Sequence, residues 1–184
     1  MNIIHQDDTA AVTAALRAGK IGVIRTDTLY GLVCRADSQA AVERIYQVKG
    51  RDDNKSPIVL VASAQQLFDA PDGRTGQLLT TVWPGKVSVI IPTIAAPSWI
   101  ERGNKSVAYR LPDNTWLQST LAQTGPLIAP SANPQSRPPA QTIRQAIAYF
   151  GEQVDFYVDG GEVTDDTPSQ LLCVSVDGAV EKLR

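Results

Sequence analysis

Residues 57–62 (PIVLVA) constrain this chain more than any other segment. The run is apolar on both faces, the pattern of a strand buried inside a covered sheet. Two shorter stretches repeat the signal, 21–25 and 126–130 (PLIAP). Further strands are expected over 2–5, 86–92, 106–111 and 154–158. Segments 170–176 and 179–183 flank Asp177-Gly178, a strong hairpin turn. Helical spacing appears over 7–18, capped by Asp7 or Asp8 and stopped by Gly19, and over 38–48. Helices are also expected over 63–70, 75–83, 113–123 and 142–150. Residues 26–32 (TDTLYGL) read as a turn-rich link, and 131–141 as a polar, proline-rich loop. Strands and helices alternate without a simple βαβ period, and the tail is strand-rich. That pattern favours an α/β fold with a mixed, twisted sheet.

A chain of 184 residues suits one domain, taken here as 1–184, and is short for two. The net charge of −2 gives no global pull towards nucleic acid or an acidic membrane. Basic residues bunch locally, at Lys49, Arg51 and Lys55, and again at Arg102, Lys105 and Arg110. Such clusters suit a small anion better than a long phosphate backbone. Cys34 and Cys173 are distant in sequence, with no CxxC, which argues against zinc and points to a reducing cytosol. The start of the chain is too polar for a signal peptide, and no apolar run reaches membrane-spanning length, so a cytoplasmic protein is expected. His5 is the only histidine and reads as surface or strand-edge filler. Its position removes most Ser-His-Asp and Cys-His schemes, leaving chemistry to positioned charge and hydrogen bonds. No GxGxxG or P-loop pattern is present.

Lys49-Gly50-Arg51 places two cations around a glycine where the 38–48 helix should stop, with Ser38 as its N-cap. Two readings fit. The cations gain about 0.3–1 kcal/mol each beside a helix C-terminus, or, once the chain unwinds at Gly50, they lean towards one anion. Local sequence alone favours the first. Thr26, Asp27, Thr28 and Tyr30 offer ligand-binding oxygens after a buried strand, or a turn that satisfies its own backbone. Arg110 ends a strand and is either paired structurally or free to grip a carboxylate. Ser131 and Asn133 share one side of an extended chain and suit a polar ligand such as a nucleotide, or simply open a loop. Trp83 reads as core or hinge packing.

Taken together and in order, these segments resemble the YrdC/TsaC family of threonylcarbamoyl-AMP synthases. The motifs that carry the resemblance are TDTLYGL, KGR at 49–51, SPIVLVA at 56–62 and WPGKVSVI at 83–90. SVAYRLP at 106–112, PLIAPSAN at 126–133, DGG at 159–161 and Ser169 continue it. The resemblance implies a YrdC/RibB-like fold, a mixed sheet with flanking helices around a large concave cleft. It also implies that L-threonine, bicarbonate (or CO2) and ATP, with Mg2+ held through the phosphates, give threonylcarbamoyl-AMP and pyrophosphate. A partner complex would then transfer the threonylcarbamoyl group to the adenosine beside the anticodon of ANN-decoding tRNAs. Carried over by motif, Lys49 and Arg51 would be catalytic and would hold the ATP phosphates with Lys55. Ser106, Asn133 and Arg184 would contact the nucleotide, and Thr28, Arg110, Ser131 and Ser169 would bind threonine.

Several positions depart from the family pattern. Arg25 stands where the family usually has proline, and Val61 near where longer relatives place histidine. Residues 134–136 (PQS) replace the usual serine-glycine after SxN, and Gln170 a frequent threonine. The second domain of longer relatives is not expected. The alternative reading is a non-catalytic factor for tRNA, double-stranded RNA or ribosome maturation that uses the basic concave surface. A carbamoyl-transferring paralogue ranks last, because such paralogues tend to lose KxR or SxN and this chain keeps both.

Overall fold

Successive side chains of the central strands separate into two apolar layers, one on each face of a mixed sheet. The computed structural model describes residues 2–6, 8–165 and 167–184. Its elements run β1 (Ile3–His5), α1 (Thr9–Arg17), β2 (Gly22–Arg25), β3 (Tyr30–Arg35), α2 (Gln39–Lys49) and β4 (Ile58–Leu60). They continue as α3 (Gly73–Val82), β5 (Val87–Pro92), α4 (Ser98–Glu101), β6 (Ser106–Arg110), α5 (Thr115–Thr124) and β7 (Leu127–Ile128). The last are α6 (Ile143–Phe150), β8 (Phe156–Asp159), β9 (Gln170–Val174) and β10 (Val180–Lys182).

The strand order is β1-β8-β2-β3-β7-β4-β6-β5-β9-β10. Parallel pairs (β1 with β8, β2 with β8, β4 with β6, β5 with β9) are mixed with antiparallel ones (β2 with β3, β3 with β7, β4 with β7, β5 with β6). Val59 and Val61 join Leu32, Cys34 and Ile128 in one layer, which α2, α4 and α6 cover. Leu60, Val33, Leu127 and Phe156 point the other way, into a layer closed by α1 and α5. The double-faced apolarity of 57–62 therefore has a partner on each side, as alternation along a strand requires.

Local signals explain most helix ends. Asp8 caps α1 by accepting from the Ala11 amide at 3.0 Å; Asp7, the other candidate cap, lies outside the described residues. Ser38 stands at the N-cap of α2, but its side chain makes no cap hydrogen bond. At the other end Gly50 adopts φ 62 and ψ 35, and its amide donates to Gln47 O at 3.1 Å while Arg51 N reaches Tyr46 O at 3.0 Å. This is a Schellman ending, which a left-handed glycine permits without a Cβ penalty.

Two expectations change, and one helix was not expected. Residues 26–32 are not only a link: 26–29 form a turn, and Tyr30 begins β3, which returns antiparallel to β2. Residues 63–70 form only a single 3-10 turn over Ala64–Gln66. There Gln66 accepts from Ala62 N at 2.7 Å and donates to Leu121 O at 3.1 Å, while Asp69 holds the 93–95 loop, so tertiary bonds replace helical ones. The short helix α4 carries no sequence signal strong enough to have been anticipated.

Gly22 in β2 faces the ring of Phe156, and a Cβ at this position would lie 2.4 Å from it. Phe156 is fully buried and has no room to retreat. Gly22→Ala should therefore cost about 1–3 kcal/mol through overpacking, measurable as a lower urea midpoint with an unchanged slope.

Candidate functional site

The β2–β3 turn closes on itself through Thr26. Its hydroxyl donates to Leu29 O at 2.7 Å and accepts from the Thr28 amide at 3.2 Å. The self-satisfied turn and the ligand-facing loop, set out as alternatives from sequence, thus coexist: Thr26 braces the backbone while Thr28 lines a cavity. That cavity, about 330 Å³, also receives Arg110, Ser131 and Ser169. Arg110 arrives from the end of β6, which the register places level with Leu60 of β4. Ser131 is delivered by the chain after β7, which bridges to Gly31 and ties Ala132 N to Tyr30 O at 2.7 Å. The Ser169 hydroxyl lies 3.1 Å from that of Ser88, a fully buried serine on β5.

A second cavity of about 420 Å³ contains Lys55 and Ser106 together with Asn54 and Asn104. Arg51, Ile58 and Arg184 line both spaces, so two guanidinium groups form part of the common wall. Arg51 is held by donation to Lys55 O at 3.2 Å and Ser56 O at 3.0 Å. Arg184 donates to Ser169 O at 3.1 Å. Among the described residues no Asp or Glu lines either cavity, and the combined space is electropositive.

Lys49 and Asn133 take a different place. The Lys49 ammonium is buried and donates to Ser131 O at 2.6 Å, Asn133 O at 2.7 Å and Asn133 Oδ1 at 2.9 Å. Asn133 Oδ1 also accepts from Ser131 Oγ at 2.6 Å, and its amide nitrogen donates to Arg137 O at 2.6 Å. Neither side chain lines either of these two cavities. Lys49 and Arg51 diverge after all: the first secures the SxN loop from behind, and the second faces the open space. Burial, with the nearby Arg51 charge adding to it, pulls the Lys49 amine down to about 8.

Sequence reasoning missed Ser88, Asn54, Asn104 and Tyr46. The Asn104 amide spans Asn54 O at 2.9 Å and Ser56 Oγ at 3.0 Å, fixing the loop that carries Lys55. Tyr46 donates to Lys55 O at 2.6 Å, and Arg102 stacks on its ring at 4.0 Å. The available signal was Gly103-Asn104 between two cations, a turn dipeptide beside the nucleotide motif. Among the described residues no group of three His, Cys, Asp or Glu side chains converges to hold a metal. No helix of the described residues is long and apolar enough to cross a membrane.

Comparison with known proteins adds four findings. The sequence model of the Sua5/YciO/YrdC family, described as telomere recombination, matches residues 14–184. The threonylcarbamoyl-AMP synthase of Marinobacter nauticus is 32% identical over 162 residues, covering 84% of this chain and 85% of its own. The crystal structure of P. abyssi Sua5 complexed with L-threonine superposes with a TM-score of 0.90 at 26% identity; it covers all of this chain, which spans 57% of that protein. The fold is also that of E. coli YciO, with a TM-score of 0.85 at 22% identity over 93% of that chain.

The Lys49 environment gives a titration with a definite sign. Its amine loses its proton near pH 8 in the folded chain and near its ordinary 10.5 when unfolded. Between these values the unfolded state binds more protons, so this residue's contribution to stability rises with pH across that window and is lost as pH falls through about 8. Lysine 13Cε NMR should show one resonance titrating near 8, absent in Lys49→Met.

Proposed function

The chain belongs to the Sua5/YciO/YrdC family, and from that premise we propose that it is a threonylcarbamoyl-AMP synthase acting on L-threonine, bicarbonate and ATP. The observation that carries the reading is the convergence of Thr28, Arg110, Ser131 and Ser169 on one cavity of amino-acid size. Adjoining it is a larger cavity bearing Lys55, Ser106 and Arg184. Arg110 receives the threonine carboxylate, and the three hydroxyls receive the rest of the amino acid. Lys55 and Ser106 face the nucleotide. Arg51 and Arg184 stand where the two ligands meet, so charge developing at the α-phosphorus would be met by two fixed cations.

The reaction demands alignment and charge neutralisation more than proton relays. A threonine carbamate oxygen attacks the α-phosphorus, and pyrophosphate leaves. Lys49 contributes by fixing Ser131 and Asn133, and Asn133 by bracing the loop that returns to α2. Mg2+ accompanying ATP would be held by the phosphates, since no acidic residue among those described lines the space. The product is handed to a tRNA-modifying transferase complex in the cytoplasm. The RNA-binding alternative has less support: two adjoining cavities of amino-acid and nucleotide size are not what a non-catalytic duplex binder requires.

Pyrophosphate should appear only when threonine, bicarbonate and ATP are all present, as followed by a coupled phosphate assay. Release that ignores threonine would overturn the assignment. Arg51→Ala should lower turnover by about 10²-fold or more with the fold intact by circular dichroism.

A further inference from the structure

Behind the wall of the smaller cavity sits a charge that the proposed reaction does not use. The Asp27 carboxylate approaches Arg110 Nη2 at 2.9 Å, with side-chain exposures of 2% and 5%. Asp27 does not line the cavity, whereas Arg110 does. The same Arg110 nitrogen donates to Thr28 Oγ1 at 3.3 Å, so one end of the guanidinium is held from two directions. Both Asp27 oxygens nevertheless lack a directed hydrogen bond, as does Arg110 Nε. Buried groups of this kind are normally satisfied, and of these only the Arg110 Nε–H is a donor on a residue that lines the cavity, where an acceptor group of a ligand could complete it.

We propose that Asp27 is a positioning residue that acts through Arg110, anchoring the back of its guanidinium so that the free edge presents a fork to the carboxylate of the bound amino acid. This rests on reading the smaller cavity as the threonine pocket. An arginine side chain that is 5% exposed has little water to stabilise its charge, so that charge and its orientation need a fixed counter-ion. Two-point recognition of a carboxylate depends on the plane of the fork as well as on charge. The sequence places this anchor one residue before Thr28, so one turn supplies both contacts to Arg110.

Binding measured by calorimetry on the intact chain tests the idea. Asp27→Asn should weaken L-threonine by about tenfold or more, with ATP affinity changed by less than about twofold. The analogue without the amine, (R)-3-hydroxybutanoate, should lose the same factor, because it keeps the carboxylate. A loss confined to threonine would mean that Asp27 touches the amine directly, and would overturn the proposal. An equal loss for ATP would reduce Asp27 to a structural role, and no loss would remove it altogether; either result overturns the proposal.

Asp27→Asn combined with Arg110→Gln leaves no unpaired buried charge and covers the case where the single variant folds poorly. Its threonine affinity should equal that of Arg110→Gln alone, and a further drop would contradict action through Arg110. If the unmodified chain binds ATP but no threonine, the failure lies in the assigned function and not in the role of Asp27.

Discussion

The buried ammonium of Lys49 joins the parts of the site. It sits at the end of α2 and donates to oxygens of both Ser131 and Asn133, far away in sequence but one turn from the cavity. Removing a cation from water costs several kcal/mol, and only well-placed acceptors offset that. Here three oxygens lie within 2.9 Å, and in return a loop without regular structure acquires a fixed shape. The return contact from Gln135 N to Lys49 O at 2.9 Å closes the same junction from the backbone side. Gly50 then turns the chain, so Arg51 departs in another direction. The glycine lets the two cations leave the helix end in different directions, Lys49 towards the Ser131–Asn133 loop and Arg51 towards the cavities.

The sheet supplies the frame for this junction. Thr28 follows β2, Arg110 ends β6, Ser131 follows β7 and Ser169 immediately precedes β9. Strand pairing sets their spacing, while the two apolar layers hold the strands against lateral shift. Site residues at strand ends can be short and polar because the strands beneath them need no polar partners. Ser88, fully buried on β5, supports Ser169 from within the sheet at the one place where the frame itself carries a hydroxyl.

The buried strands were legible because their apolarity on both faces has one physical meaning. The helix ends at Asp8, Gly50 and Thr142 were legible because capping is local. Strand β3 was not, since Gly31 interrupts its apolar run and the turn residues Thr26, Asp27 and Thr28 stand directly before it, so the segment reads as loop. The 63–70 segment misled for the opposite reason: its helical spacing was real, but Gln66 and Asp69 spend their polar groups on distant backbone. In the site, residue identities could be carried over by motif, whereas their directions could not. Whether Lys49 faces a ligand or a loop depends on contacts more than eighty residues away in sequence.

The charge layout also answers how a chain with one histidine could run such chemistry. His5 lies on β1 at one end of the strand order and lines neither cavity. Three arginines line the smaller cavity, yet they are not equivalent. Arg110 is offset by Asp27, so the deep end presents a fork with little net charge. Arg51 and Arg184, at the wall shared with the second cavity, have only carbonyl oxygens among their recorded hydrogen-bond partners and no recorded carboxylate among the described residues. Carbonyl dipoles orient a guanidinium without neutralising it. With the ligands placed as proposed, the positive field is concentrated where phosphate would meet the amino acid and is reduced around the carboxylate. Catalysis by fixed charge needs that unevenness, because a uniformly cationic pocket would bind both ends of the reaction equally and favour no transition state.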